Sequence, residues 1–293
     1  IQNKNKTSGQ ISWGQGDLAS PFYIIDRVMK KELVVIGCSF SHDYAVKETN
    51  GHRKVFSFAN NGCVTYNDST FKIWPTIIAE KLNLKLVNLS MSGCGNERIY
   101  GKTLDYVSKN HKKIGKVIVQ WSGILRLDLE THYGIQSNGW YQLMQPTAGS
   151  TVPHGFDQAM KGLAKKNWPN VTSGINGWLR KVYSLQNVFK QLNIDYHFVT
   201  GIIEDKEISP GVEDEKWRYK CSHALLNSQY FNLIDKEKYI GWPVWNELDG
   251  FCFQDPIRAY PENNDFKYWC SQTDGHPNKL GHEKLAEVIL NEI

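Results

Sequence analysis

The sequence lacks the features that would tie it to a membrane or to nucleic acid. No window approaches the roughly 18 to 20 apolar residues of a membrane span. The polar start, residues 1–6, lacks the apolar core of a signal peptide. The 34 basic and 30 acidic residues are dispersed, with no run of more than three like charges, and the net charge is only +4. We therefore expect a soluble chain synthesised in the cytoplasm, with neither a membrane nor a nucleic acid as partner.

Motifs for metals and nucleotides are also missing. The six cysteines include no C-x-x-C pair, so no zinc site is expected. Residues 37–42 lack the closely spaced glycines that let a backbone approach a pyrophosphate, which argues against a nucleotide-binding protein. The sequence thus predicts no metal and no cofactor.

Short apolar runs alternate with segments of helical spacing along most of the chain. The runs predict strands over 32–37, 85–89, 116–122 and 194–200, and the other segments predict helices over 73–82, 96–108, 175–192 and 279–293. This alternation is typical of an α/β protein with right-handed crossovers. We predict a three-layer α/β/α sandwich with a central parallel sheet, of flavodoxin-like type.

One domain is predicted over 31–293, preceded by an N-terminal extension or arm over 1–30. Two long segments, 130–171 and 204–272, interrupt the alternation. Each follows a predicted strand, so we expect both to wall a site at the carboxyl edge of the sheet. They are rich in tryptophan, for which core packing is the expected role at most positions and stacking on sugar rings the alternative.

The run from Leu33 to Ile36 ends in Gly37-Cys38-Ser39, which describes a buried strand that delivers a serine to its carboxyl end. That is where open α/β sheets bind ligands. A serine in this position commonly caps a turn or helix. As a nucleophile it would need a base within hydrogen-bond reach. Ser41 is the alternative nucleophile, although a capping role fits it better.

A base and an acid occur together near the end of the chain, in Asp274-Gly275-His276-Pro277-Asn278. Pro277 and Asn278 predict a loop directly before the last helix. We expect His276 to act as general base and then as general acid, and Asp274 to orient its imidazole. The alternative for Asp274 is a turn residue that bonds its own backbone.

These two segments, with Asn88 and Gly93 between them, resemble the SGNH (GDSL-type) hydrolases, a family of esterases and carbohydrate deacetylases. The resemblance runs from about residue 31 to 293. It implies an acyl-serine mechanism without metal, with Ser39, His276 and Asp274 as catalytic residues and the N–H groups of Ser39 and Gly93 in the oxyanion hole. The implied function is that of a carbohydrate O-acetyl esterase acting on an acylated small molecule or polysaccharide.

The sequence departs from the family pattern at three places. Cys38 replaces the aspartate of Gly-Asp-Ser, and Ile124 stands about where an oxyanion-hole asparagine is expected. One residue, instead of two, separates the acid from the histidine, so the family position of the acid falls on Thr273. The missing donor has three candidate replacements, which are Ser122, Asn96 and Arg126.

Such departures resemble a divergent branch of phage and environmental sequences. On that interpretation, residues 1–28 would attach the domain to a larger assembly, such as a virion. The alternative function is a glycan-binding or virion structural module that keeps the SGNH fold after losing catalysis. The absent asparagine favours this alternative, and the retention of Ser39 and His276 argues against it.

Overall fold

The computed structural model describes residues 30–42, 47–49, 52–57, 64–66, 71–124, 126–130, 140–143, 170–202, 214–258, 265–271 and 274–293. The predicted arm lies outside the described residues, apart from residue 30. The arm and its proposed attachment to a larger assembly therefore stay predictions.

Twelve strands and five α-helices occur in this part of the chain. The strands are β1 (Glu32–Ile36), β2 (Lys47–Thr49), β3 (His52–Ser57), β4 (Val64–Tyr66), β5 (Lys85–Asn88), β6 (Ile114–Trp121), β7 (Leu127–Glu130), β8 (Trp140–Leu143), β9 (Asp195–Thr200), β10 (Tyr239–Ile240), β11 (Trp269–Ser271) and β12 (Asp274–Pro277). The helices are α1 (Trp74–Lys81), α2 (Asn96–Asn110), α3 (Val171–Gln191), α4 (Asp214–Leu226) and α5 (Lys279–Leu290). The four predicted strands correspond to β1, β5, β6 and β9, and the four predicted helices to α1, α2, α3 and α5.

Five parallel strands form the central sheet, in the order β10-β9-β6-β1-β5. Strand β1 lies between two neighbours, with Val34 beside Val87 of β5 and Val117 of β6. All five of its residues are buried, which explains the apolar run from Leu33 to Ile36, because a central parallel strand is covered on both faces. The predicted parallel sheet is confirmed.

The sheet has a separate hydrophobic core on each face. Val34 and Val119 pack in one core with α2, α3 and α4. Leu33 and Ile118 pack in the other with α1 and α5. Alternate strand residues thus enter opposite cores, as the two-residue period of a strand requires. The three-layer α/β/α architecture is confirmed.

Helices α1 and α3 lead into strands through the same turn. Each is followed by a leucine and then an asparagine with φ 53°, Asn83 and Asn193. The next N–H, of Leu84 or Ile194, bonds a carbonyl five residues back at 2.9 Å. Asparagine tolerates the left-handed conformation better than most residues. These turns aim both following strands into the sheet.

Helix α3 begins four residues earlier than its apolar spacing predicts. The side chain of Asn170 accepts a hydrogen bond from the N–H of Ser173 at 2.8 Å and caps the helix before Val171. Its apolar face, including Trp178 and Phe189, is buried in the core that contains α2 and α4.

The segment 204–272 contains helices and strands of its own, and its expected role as a wall of the site stays a prediction. This segment supplies α4, and it supplies β10, which pairs with Phe198 and Val199 of β9 as the fifth strand of the sheet. Trp245 is 2% exposed and packs in the core, so for it the core-packing interpretation is confirmed. Within 130–171, β8 forms an antiparallel ribbon with β7.

Two features are not found among the described residues. None of the described helices has the length and apolar character required to cross a bilayer. No group of three or more His, Cys, Asp or Glu side chains in the same part of the chain is arranged to hold a metal ion.

Candidate active site

Ser39 lies in a single tight turn at the carboxyl end of β1. The carbonyl of Cys38 accepts hydrogen bonds from the N–H groups of Ser41 and His42, each at 3.1 Å. A Cβ on Gly37 would lie 2.7 Å from both Ser41 Oγ and Gln120 Oε1, so this position requires glycine. Ser39 itself is 5% exposed. It stands at the sheet edge where open α/β folds bind their ligands.

Three further hydrogen bonds fix the carbonyl groups of this turn. The indole N–H of Trp74 donates to the carbonyl of Phe40 at 2.8 Å. The side chain of Asn88 donates to the carbonyl of Ser41 at 2.8 Å, and the N–H of Met91 donates to that of Gly37 at 3.0 Å. Donors from α1 and from the end of β5 therefore hold the turn from two sides.

The loop from β5 to α2 carries the glycine expected in the oxyanion hole. Asn88 shapes its start, because its Oδ1 accepts a hydrogen bond from the N–H of Ser90 at 3.1 Å. Gly93 has φ 73°, in the left-handed region that favours glycine. The N–H of Cys94 then closes a turn onto the carbonyl of Met91 at 3.2 Å. Because β5 is the neighbour of β1, this loop runs beside the Ser39 turn.

Two candidates for the remaining oxyanion donor lie together where β6 ends. Asn96 is 3% exposed, and its amide donates to the carbonyls of Gly123 at 3.1 Å and Ser122 at 3.4 Å while accepting from the N–H of Ser122 at 2.9 Å. The hydroxyl of Ser122, 0% exposed, accepts a hydrogen bond from Arg126 Nη1 at 3.1 Å. Asn96 thus links the start of α2 to the end of β6, and Arg126 is joined to Ser122.

His276 lies beside the turn that carries Ser39. Its ring centroid is 5.9 Å from that of Phe40, the residue after Ser39, with the planes at 48°. The structure therefore brings the histidine and the serine to one edge of the sheet, although they come from opposite ends of the described chain. The predicted loop around His276 is instead the strand β12, antiparallel to β11.

Asp274 is the first residue of β12, with its backbone opposite Ser271. The structure describes this backbone, whereas the side chain lies outside the described part. The role of Asp274 as the orienting acid therefore stays a prediction.

Asn278 fixes the junction between β12 and α5. Its Oδ1 accepts from the N–H of Gly281 at 3.0 Å and caps the helix, while its amide donates to the carbonyls of Lys267 and Trp269, each at 2.9 Å. A Cβ on Gly281 would meet the carbonyl oxygen of Tyr268 at 2.5 Å, so the close approach of α5 needs glycine there. These contacts hold the segment that presents His276.

His282 is buried behind the site, where it packs as expected from its position inside the helix, although its hydrogen bond goes to a residue that is remote along the chain. It is 1% exposed, its Nδ1 accepts a hydrogen bond from the backbone N–H of Trp74 at 3.4 Å, and its ring lies 5.7 Å from that of Phe71. Burial, together with the nearby His276, lowers the pKa of His282 to about 3. The imidazole is neutral at ordinary pH, with its remaining proton on Nε2.

A buried acid stabilises the start of α2. Asp128 is 3% exposed and accepts hydrogen bonds from the N–H groups of Gly95 and Arg98, the latter at 3.1 Å. These are N–H groups that the first turn of a helix leaves without a partner inside the helix. Burial raises the pKa of Asp128, and the two N–H donors and the Arg98 charge oppose that rise. Cys94, the residue before Gly95, is also buried. Its burial raises the pKa of its thiol to about 12, so the thiol stays protonated and unreactive.

Sequence reasoning missed three residues that shape the site, namely Trp74, Gln120 and Asp128. Nothing in the sequence marks Trp74 or Asp128, because each acts on a partner that is remote along the chain. Gln120 did carry a signal, since it is an amide within the otherwise apolar run Val117–Trp121. A buried amide needs hydrogen-bond partners, although a sequence does not say which.

No family model matches the sequence, and a search of curated proteins found no match. Among solved structures, the chain is similar to a catalytic mutant of Axe2, an acetylxylan esterase from Geobacillus stearothermophilus. The sequence identity is 14%, the match covers 90% of this chain and 94% of that one, and the TM-score is 0.45. It is also similar to a protein assigned to the G-D-S-L lipolytic family from Desulfitobacterium hafniense, with 13% identity over 90% and 99% of the two chains and a TM-score of 0.41. A third similar structure is TesA, with 12% identity over 89% and 97% and a TM-score of 0.44. With TM-scores below 0.5, the matches decide neither substrate nor mechanism.

Proposed function

We propose that the protein is a serine hydrolase that cleaves carboxylic esters, with Ser39 as nucleophile and His276 as proton carrier. The observation that most supports this is the contact between His276 and Phe40, whose ring centroids lie 5.9 Å apart, because Phe40 directly follows Ser39 in the hydrogen-bonded turn. A serine hydroxyl needs such a base to become nucleophilic at neutral pH.

The reaction would proceed through an acyl-serine. Ser39 Oγ forms a bond to the acyl carbon while His276 takes the hydroxyl proton, and the carbonyl electrons move to its oxygen. Collapse of this oxyanion breaks the bond to the alcohol, which leaves with the proton from His276. Water, deprotonated by His276, then attacks the acyl-serine and releases the carboxylic acid and Ser39.

For the oxyanion hole we propose the N–H groups of Ser39 and Gly93, with the Ser122 hydroxyl as third donor. Asn96 is the weaker candidate for that third place, since both hydrogens of its amide face the carbonyls of residues 122 and 123. The Ser122 hydroxyl accepts from Arg126 and so keeps its own proton to donate. Loss of one oxyanion donor typically lowers the rate by about a hundredfold to a thousandfold.

For the substrate we propose an O-acetyl ester on a carbohydrate, the class that the sequence resemblance implies. We assign Asp274 as the group that holds the His276 tautomer and stabilises the imidazolium. Its place in β12, two residues before His276, supports this assignment, because alternate residues of a strand share a face.

The test combines covalent labelling with turnover. An organophosphonate that reacts with activated serines should add its mass to Ser39, located by peptide mass spectrometry. Wild-type protein should hydrolyse an aryl acetate and release acetate from acetylated oligosaccharides. Ser39→Ala should abolish labelling and turnover with an unchanged melting temperature, and His276→Ala should slow both.

Ser108→Ala provides the matched control, since among the described residues that exposed hydroxyl bonds only to the carbonyl of Asp105 in its own helix. It should label and turn over like the wild type. A folded wild-type protein that is neither labelled nor active on any acetylated sugar or aryl ester would overturn the hydrolase proposal and favour a glycan-binding role. Activity on long-chain acyl esters alone would overturn the proposed substrate and leave the mechanism in place.

A further inference from the structure

A fully buried glutamine lies directly against the nucleophile turn. Gln120 is the next-to-last residue of β6 and is 0% exposed. Its Oε1 accepts a hydrogen bond from Ser41 Oγ, and its Nε2 donates to the sulfur of Cys38 at 2.9 Å. These two partners precede and follow Ser39 in the same turn. One side chain therefore holds the turn on both sides of the serine.

The neighbouring strands leave room for this amide by carrying glycine at their ends. A Cβ on Gly37, after β1, would lie 2.7 Å from Gln120 Oε1. A Cβ on Gly201, after β9, would collide with Gln120 Nε2. Each strand that flanks β6 is thus followed by a glycine, and this glycine leaves space for the amide group of Gln120.

An amide at this position has an energetic cost that an apolar residue would avoid. Val117, Ile118, Val119 and Trp121 are all fully buried, so Gln120 is a polar residue in a run that otherwise supplies core. Burying an amide is unfavourable unless its hydrogen bonds are made. A methionine would fill a similar volume without that requirement. The bonds to Cys38 and Ser41 are therefore the specific contribution of the glutamine.

We propose that Gln120 is a positioning residue for catalysis, which sets the direction of the Ser39 hydroxyl by holding Cys38 and Ser41. This inference rests on the proposed function of Ser39. Without these bonds, the thiol of Cys38 and the hydroxyl of Ser41 are free to rotate, and the turn loses its link to β6. Misplacement of a reacting group by about 1 Å can lower a rate by about a hundredfold.

The test compares Gln120→Met with Gln186→Met. Gln186 is the matched control because it is also a buried glutamine, 3% exposed, whose amide donates to the carbonyl of Leu233 at 2.6 Å and accepts from the N–H of Asp235 at 3.1 Å. Both partners, Leu233 and Asp235, come before β10 in the chain. Strand β10 is an outer strand of the sheet and is separated from β1 by β9 and β6. Each variant loses two hydrogen bonds, and both should lower the melting temperature.

Only Gln120→Met should change catalysis. Measured per folded molecule on an aryl acetate, its kcat should fall on the order of 10- to 100-fold with KM changed less than about twofold, whereas Gln186→Met should keep both constants. The rate at which the organophosphonate labels Ser39 should fall in parallel with kcat. If Gln120 had a purely structural role, Gln120→Met would lower the melting temperature, and its kcat would equal that of Gln186→Met.

Two more variants keep the proposal testable if Gln120→Met does not fold. Gln120→Glu should retain more kcat than the methionine variant, because burial favours the protonated acid, which still accepts from Ser41 and donates to Cys38. Ser41→Ala should lower kcat, and combining it with a change at Gln120 should cost less than the product of the two single effects.

Equal kcat in Gln120→Met, Gln186→Met and the wild type, with Ser39 labelled at one rate in all three, would overturn the positioning role and leave Ser39 as nucleophile. Equal loss in Gln120→Glu and Gln120→Met would overturn it too. A wild-type protein whose Ser39 is never labelled would overturn the proposed function, and the role of Gln120 would fall with it.

Discussion

Replacement of the buried His282 should change how the stability of the protein depends on pH. In the folded protein, burial and the nearby His276 lower the pKa of His282 from 6.5 to about 3. In the unfolded chain the same imidazole titrates near its ordinary value of about 6.5. As the pH falls below this value, the unfolded chain binds a proton that the folded protein does not bind. The contribution of His282 to stability is thus present above about pH 6.5 and is lost as the pH falls towards 3.

The size of this effect follows from the two pKa values. One unit below the unfolded pKa, at pH 5.5, the unfolded state gains about 1.4 kcal/mol from protonation of this single group. For a chain of this length, that free energy corresponds to a melting temperature lower by about 2 to 4 °C than at pH 7.5. His197 adds to the loss in the wild type, because its burial and Lys116 lower its pKa to about 4.

The assay is thermal unfolding of wild type, His282→Gln and His223→Gln at pH 7.5 and pH 5.5. His282→Gln keeps an acceptor for the backbone N–H of Trp74 and has no proton to bind, so its melting temperature should fall less between the two pH values. The difference from wild type should be about 2 to 4 °C. His223 is an exposed histidine on α4, so His223→Gln should keep the wild-type pH dependence. The same pH dependence in His282→Gln and wild type would refute the reasoning.

Two other predictions concern the supports of the Ser39 turn. Trp74→Phe removes the donor to the buried carbonyl of Phe40. It should lower the free energy of unfolding by about 1 to 3 kcal/mol more than Trp178→Phe, because the indole N–H of the buried Trp178 has no hydrogen-bond partner among the described residues; equal losses in urea unfolding would contradict this. Gly93→Ala should cost about 1 kcal/mol and lower kcat on an aryl acetate, because alanine disfavours φ 73° at the proposed oxyanion donor. Gly177→Ala, within α3 and with room for a Cβ, should be neutral or stabilising with unchanged kcat, and equal effects of the two changes would contradict a special role for Gly93.

The parts of the fold that could be predicted are those with many residues under one constraint. Strand β1 is buried on both faces over five residues, and the apolar face of α3 repeats over 21 residues, so each leaves a pattern in the sequence. Strand β10 has only two residues, Tyr239 and Ile240, and joins the sheet through pairing with β9. Two residues are too few to carry a period, so this strand was not predictable.

The residues of the candidate site likewise divide into those that a sequence pattern marks and those that no local pattern marks. Three of the candidates, Ser39, Gly93 and His276, stand in short segments. The order of these segments along the chain matches that of the SGNH motifs, so the sequence marks them. Gln120 and Trp74 act through hydrogen bonds to residues far away in sequence, and no local pattern records such a partner. Cys38, which stands where the resemblance gives an aspartate, is fully buried and accepts a hydrogen bond from the Gln120 amide, a place where a carboxylate would be costly to ionise.

The short spacing between the proposed acid and base has a structural explanation as well. By resemblance two residues are expected between them, whereas Asp274 and His276 are separated by one. Both belong to β12, which pairs with β11 and leads directly into the cap of α5. In a strand, side chains two positions apart share a face, and those three positions apart lie on opposite faces. A strand that is to present an acid and a histidine on one face thus requires the spacing found here, and the role of Asp274 stays a prediction.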